Sequence, residues 1–171
     1  MRRLEDATAV VARQSGWNTL LRLKKDLTGK TLECGEIDLL CAKVIRDKVV
    51  VVLAEVKDLD LTPISWPGGL LGMQQKIGRA FQQLSARSKW LSSAWAQWVR
   101  ASIFKERSSF PHTAYLLPLV ITARYMPPFL FDEYVGVPMD GFGMFLAGLE
   151  DGDYARLQSI AGETLVTLES A

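Results

Sequence analysis

Histidine, cysteine and long apolar runs are all scarce in this chain of 171 residues. Its one histidine, His112, stands in a Phe-Pro-His-Thr stretch that reads as a loop, so hydrolysis built on a histidine general base has a single poorly placed candidate. The two cysteines, Cys34 and Cys41, fall in or beside one expected strand, which suits reduced thiols better than a disulfide framework or a zinc site. The longest uninterrupted apolar run, residues 49–54, is far short of the roughly 20 residues a membrane helix needs. The opening Met-Arg-Arg-Leu-Glu-Asp leads into an amphipathic pattern with acidic residues, not into the apolar core of a secretory signal. A cytoplasmic protein without membrane association is expected. No internal repeat or low-complexity tract is visible.

With 49% hydrophobic and 23% charged residues, the composition supports one globular domain over residues 1–171 with a sizeable core. The net charge of +1 hides a blockwise distribution. Residues 1–30 carry seven Lys/Arg against three Asp/Glu (+4), and residues 31–71 carry four against seven (−3). Residues 72–107 carry seven against one (+6), and residues 108–171 two against eight (−6). An acidic block is thus flanked in sequence by two basic ones. That order suits a cation site bordered by phosphate-binding surface, and equally suits ordinary solvated helix faces.

The periodicities predict an α/β chain. Leu4, Ala7, Val10 and Val11 recur at helical spacing over residues 4–14, with Gly16 as a stop. Residues 17–23, 36–43 and 49–57 read as strands, with turns at 26–30 and at Arg46-Asp47-Lys48, so an antiparallel meander is expected. The third strand is apolar on both faces, as a central strand should be. Residues 59–72, with Pro63, Pro67 and three glycines, read as a long irregular loop beside the candidate site. A long or broken helix is expected over 74–99, where Ile77, Phe81 and Leu84 share a face and Leu91, Trp95 and Trp98 continue the stripe as core or interface. A short strand at 116–122, an extended piece at 135–139 and closing helices at 142–149 and 154–160 complete the expected order.

Charges inside the second and third strands carry the functional signal. Asp38, Glu55 and Lys57 interrupt residues of the buried kind, and a charge left in a sheet interior is costly without a partner. Side chains two apart in a strand share a face, so Glu36 points with Asp38 and Glu55 with Lys57. If the two strands are neighbours, Asp38 and Glu55 meet. Two carboxylates, the backbone carbonyl of Val56 and waters are a donor set that Mg²⁺ accepts, since it retains much of its hydration. A metal so held acidifies a bound water and neutralises charge on a phosphate. Lys57 is then placed to orient or deprotonate the attacking water and to stabilise the pentacovalent phosphate.

These residues, Gly35-Glu36-Ile37-Asp38, then sixteen intervening positions, then Glu55-Val56-Lys57, resemble the PD-(D/E)xK nuclease superfamily. The likeness is to its G-E-x-D…E-V-K branch of RecB-like and resolvase-like nucleases, and it spans residues 4–125 in element order. It implies a restriction endonuclease-like fold, a central mixed sheet flanked by helices in the order αβββαβ. It also implies metal binding by Asp38 and Glu55, with Mg²⁺ replaceable by Mn²⁺, and a catalytic role for Lys57. Two further positions follow from the resemblance: Glu5 on the first helix, and a Gln or Lys on the helix after the E-x-K strand, with Gln75 chosen over Gln74 and Lys76. The chain departs from the pattern in lacking a proline before Asp38 and a tyrosine after the helix glutamine.

The expected activity is phosphodiester hydrolysis on nucleic acid, with DNA favoured and RNA as the alternative substrate. Lys76, Arg79 and Arg124 are candidate nucleic-acid contacts. The start inside the first helix suits excision from a larger parent chain, and the alternative expectations for a partner are a separate subunit or a homodimer. The competing accounts are a non-catalytic assembly domain, and a surface Glu55–Lys57 ion pair with Asp38 capping a turn, which would contribute only about 0–1 kcal/mol.

Overall fold

The computed structural model describes residues 2–58, 68–102, 113–123, 129–131, 134–152 and 166–169. Two apolar runs, residues 39–42 and 49–54, make the centre of the molecule a sheet. Strands β1 (Asn18–Leu23), β2 (Ile37–Ile45) and β3 (Lys48–Lys57) follow helix α1 (Arg2–Gln14) and form the expected antiparallel meander. Arg46-Asp47 closes the β2–β3 hairpin, and Arg46 takes a left-handed φ of 58° there. The earlier turn is fixed by Asp26, whose Oδ1 accepts the backbone N–H groups of Thr28 and Lys30 at 2.9 Å each.

Helix α2 (Gly68–Ser102) carries the chain to β4 (Thr113–Thr122), which lies parallel to β3. Next come β5 (Phe129–Phe131), β6 (Tyr134–Pro138), a 3₁₀ turn over Met139–Gly141, α3 (Phe142–Asp151) and β7 (Val166–Glu169). The seven strands form one mixed sheet in the order β1-β2-β3-β4-β6-β5, with β7 pairing antiparallel to the start of β4. β3 is central and apolar on both faces, as expected.

Strand parity divides the core. Val50, Val52, Ala54 and Val56 face a cluster completed by Ala9 and Ala12 of α1 and by Phe142, Leu146 and Leu149 of α3. Val49, Val51 and Leu53 face the opposite cluster, completed by Ala80, Phe81, Leu84 and Leu91 of α2. Each fully buried Val or Leu contributes about 1.5–3 kcal/mol, so the central strand anchors both layers. At the α3 end, the Trp17 indole N–H donates to Glu150 Oε1 at 2.9 Å, and Lys43 Nζ pairs with Glu150 Oε2 at 2.8 Å.

Several expectations shift. α2 starts at Gly68, so the tail of the expected 59–72 loop is helical: glycines are tolerated in a first turn, and Leu70, Leu71 and Met73 are good helix formers. β5 and β7 span three and four residues, too short for periodicity to announce. Met139 leaves the expected extended piece for the 3₁₀ turn. The expected helix at 154–160 lies outside the described residues, as do His112 and Arg124, and as do the side chains of Trp95 and Trp98.

Candidate active site

Pairing of β2 with β3 sets Leu39 opposite Ala54 and Leu40 opposite Leu53. One step further along the same register, Asp38 stands opposite Glu55. Both belong to the parity that faces α2, as does Lys57 two residues on. Parallel pairing sets Glu55 beside Val120 and Lys57 beside Thr122 at the carboxyl ends of β3 and β4. Ligand sites of open α/β sheets lie at such ends.

Glu5, Glu55 and Arg87 are the buried charged residues among the described ones. Two of the three meet at this site. The Glu55 side chain is 1% exposed, and its Oε1 pairs with Lys57 Nζ while its Oε2 pairs with Arg87 Nη1. Both carboxylate oxygens of Glu55 are therefore held by cations, one from its own strand and one from α2. The Asp38 carboxylate accepts the Val56 N–H on Oδ2 at 3.0 Å. Burial raises the Asp38 pKa above the usual carboxylate value, opposed by the Val56 amide and then by Arg87 and Lys57, and reinforced by Glu5. The Lys57 C=O accepts from Ala123 N–H on the β4 side. Alternation along the strand therefore turns the backbone of Val56, including its carbonyl, toward β2 and Asp38.

Glu5 is buried on α1, where Arg22 Nη1 donates to its Oε2 at 3.1 Å and Arg22 Nη2 to Asp6 at 2.7 Å. Arg22 has a left-handed φ of 50°, between two regularly paired residues of β1, and the pairs on either side of it would set it opposite Asp38. Its side chain is instead tied to α1. Glu36 pairs with Lys24 at 3.2 Å in a largely exposed contact of little energetic weight.

Gln75, Lys76 and Arg79 are exposed on α2. Gln75 makes no hydrogen bond to Asp38, Glu55 or Lys57, so the helix position chosen from resemblance is not joined to them. The residue α2 does deliver is Arg87, which sequence reasoning passed over. A signal for it existed: Ala80, Leu84, Arg87 and Leu91 repeat at spacings of four, three and four, so the arginine occupies a position on the core-facing stripe.

No group of three or more His, Cys, Asp or Glu side chains able to hold a metal occurs among the described residues. A divalent ion would depend on the two carboxylates and a backbone carbonyl. Those donors suit Mg²⁺ by chemistry, since all are hard oxygens gathered where β2 meets β3, and a buried carboxylate already held by two cations is one that binds positive charge. No protein-family model matches the chain, and comparison with curated proteins and with solved structures gave no match. Function rests on the site alone.

Proposed function

We propose that this protein is a Mg²⁺-dependent nuclease with a restriction endonuclease-like core, hydrolysing phosphodiester bonds and acting on DNA in preference to RNA. One observation carries the reading: β2 and β3 set Asp38 opposite Glu55 with Lys57 on the same face, at the carboxyl end of the central strand. Asp38, Glu55 and the Val56 carbonyl would hold the ion. When bound, it would supply charge neutralisation at the scissile phosphate and a more acidic water. Lys57, half-buried and already drawn to Glu55, orients the attacking water and stabilises negative charge developing on the phosphate. The Val56 amide keeps Asp38 aimed at the site.

The test is incubation with plasmid, linear and single-stranded DNA and with RNA, in Mg²⁺ and in EDTA. Cleavage in Mg²⁺ that is lost in EDTA and in Lys57→Ala is expected. No cleavage of any substrate with Mg²⁺ or Mn²⁺ defeats the proposal, and cleavage confined to RNA reverses the substrate preference. A second reading has its own observation. Lys57 and Arg87 already neutralise Glu55 without a metal, as they would in a non-catalytic scaffold. Binding of nucleic acid with no cleavage under any metal would favour it.

A further inference from the structure

Arg87 is the buried charge to which the proposed chemistry gives no task. Its side chain is 6% exposed and sits on an α2 stripe whose other members are apolar. Nη1 is taken up by Glu55 Oε2, while Nε is buried with no hydrogen-bond partner among the described residues, although a guanidinium offers five donors in a planar fork. Burial lowers its pKa, opposed most by the negative charge of Asp38 and less by that of Glu36. Arg87 therefore pairs directly with Glu55 and feels the charge of Asp38, and these two are the assigned metal ligands.

Charge counting at the site leads to a competition. Asp38 and Glu55 supply two negative charges, and Lys57 and Arg87 match them. A divalent ion added to that neutral group leaves an excess of two positive charges in a poorly solvated setting, where like charges repel strongly. We propose that Arg87 is the resident counter-cation of Glu55, fixing this carboxylate in the metal-free protein and competing with the divalent ion for it. The inference rests on the metal-dependent reading above. It makes metal binding weak in the free protein, through a residue outside both strand motifs.

The test is Mn²⁺ binding to the full chain without nucleic acid, followed by the electron paramagnetic resonance signal of free Mn²⁺, for wild type, R87M, R87K and D38N. R87M is expected to bind about tenfold more tightly than wild type. R87K, which keeps the positive charge, should stay close to wild type, and D38N should bind most weakly. Measurable binding to wild type with equal or weaker binding to R87M overturns the counter-cation role and leaves the metal site standing. No binding to wild type or R87M at millimolar Mn²⁺ overturns the metal-dependent reading itself. Should R87M fail to fold by circular dichroism, the wild-type protein decides the matter by NMR. On titration with Mg²⁺, the Arg87 Nε resonance should move with the same midpoint as the Val56 amide, and an Arg87 signal that stays fixed while Val56 moves overturns the role.

Discussion

Replacing Glu55 by glutamine should cost stability, which separates this site from one where carboxylates merely repel each other. The substitution leaves Arg87, 6% exposed, and Lys57, 21% exposed, without their shared anion. Lys57 can turn to water, so Arg87 dominates the loss. Breaking a buried ion pair by removing one partner costs about 3–5 kcal/mol, whereas replacing both partners by neutral groups of similar volume is close to neutral. At about 2–4 °C per kcal/mol for a chain of this size, E55Q should melt roughly 6–20 °C below the parent. The double variant E55Q/R87M should regain most of that difference. Urea titration followed by far-UV circular dichroism measures all three proteins at pH 7.5. The reasoning is refuted if E55Q lies within about 0.5 kcal/mol of the parent, smaller than any buried-pair loss, or if the double variant is no more stable than E55Q.

Asp38 should respond with the opposite sign. Burial raises its pKa, so the fold favours the neutral form and the ionised form costs stability at neutral pH. D38N should therefore be at least as stable as the parent at pH 7.5 and inactive as a nuclease. Its advantage should shrink as the pH falls through the raised Asp38 value toward the unfolded one near about 3.9, where the parent is protonated too; an advantage that grows on acidification would contradict the assignment. Lys57→Ala should lower single-turnover cleavage by about 10²–10⁴-fold with little change in melting temperature, and parental rates would remove Lys57 from the chemistry. Glu150→Ala removes both the Trp17 and Lys43 contacts and should cost about 1–2 kcal/mol in urea titration. Glu150→Gln keeps an acceptor for Trp17 and should cost less, so equal losses would deny the indole bond its part.

β3 was legible from its continuous apolar run between turn residues, the mark of a strand buried on both faces, and strand parity then put Glu55 and Lys57 on one face and likewise set Glu36 with Asp38. α1 and α3 were legible from apolar residues at helical spacing. The placement of β4 beside β3 was not, since parallel pairing joins residues far apart in sequence and leaves no local trace. The start of α2 was hidden because Pro67-Gly68-Gly69 reads as a break while the leucines after it propagate a helix. Arg87 was hidden because a helix's buried face is signalled by its apolar members, and a charged residue on that stripe has the same signature as a solvated one. Gln75, chosen from resemblance alone, lies on the solvent face of that helix.

The order of pairing in the sheet has a kinetic consequence. Leu39 meets Ala54 through a hairpin, while Val49 meets Ala114, 65 positions away (114 − 49), only after the segment containing α2 has been closed off. Closing the short loops first loses less chain entropy, so the meander should form ahead of the β3–β4 pairing. Asp38 and Glu55 both belong to that early unit, and Arg87 arrives with the later one. During folding, two carboxylates should thus face each other before their arginine is in place, and divalent ions should speed the first phase more than the second. Pulse-labelled amide exchange, with and without Mg²⁺, would follow the Leu39 and Ile121 amides, which point toward β3 from its two sides, through those phases, and simultaneous protection of both would rule the sequence out.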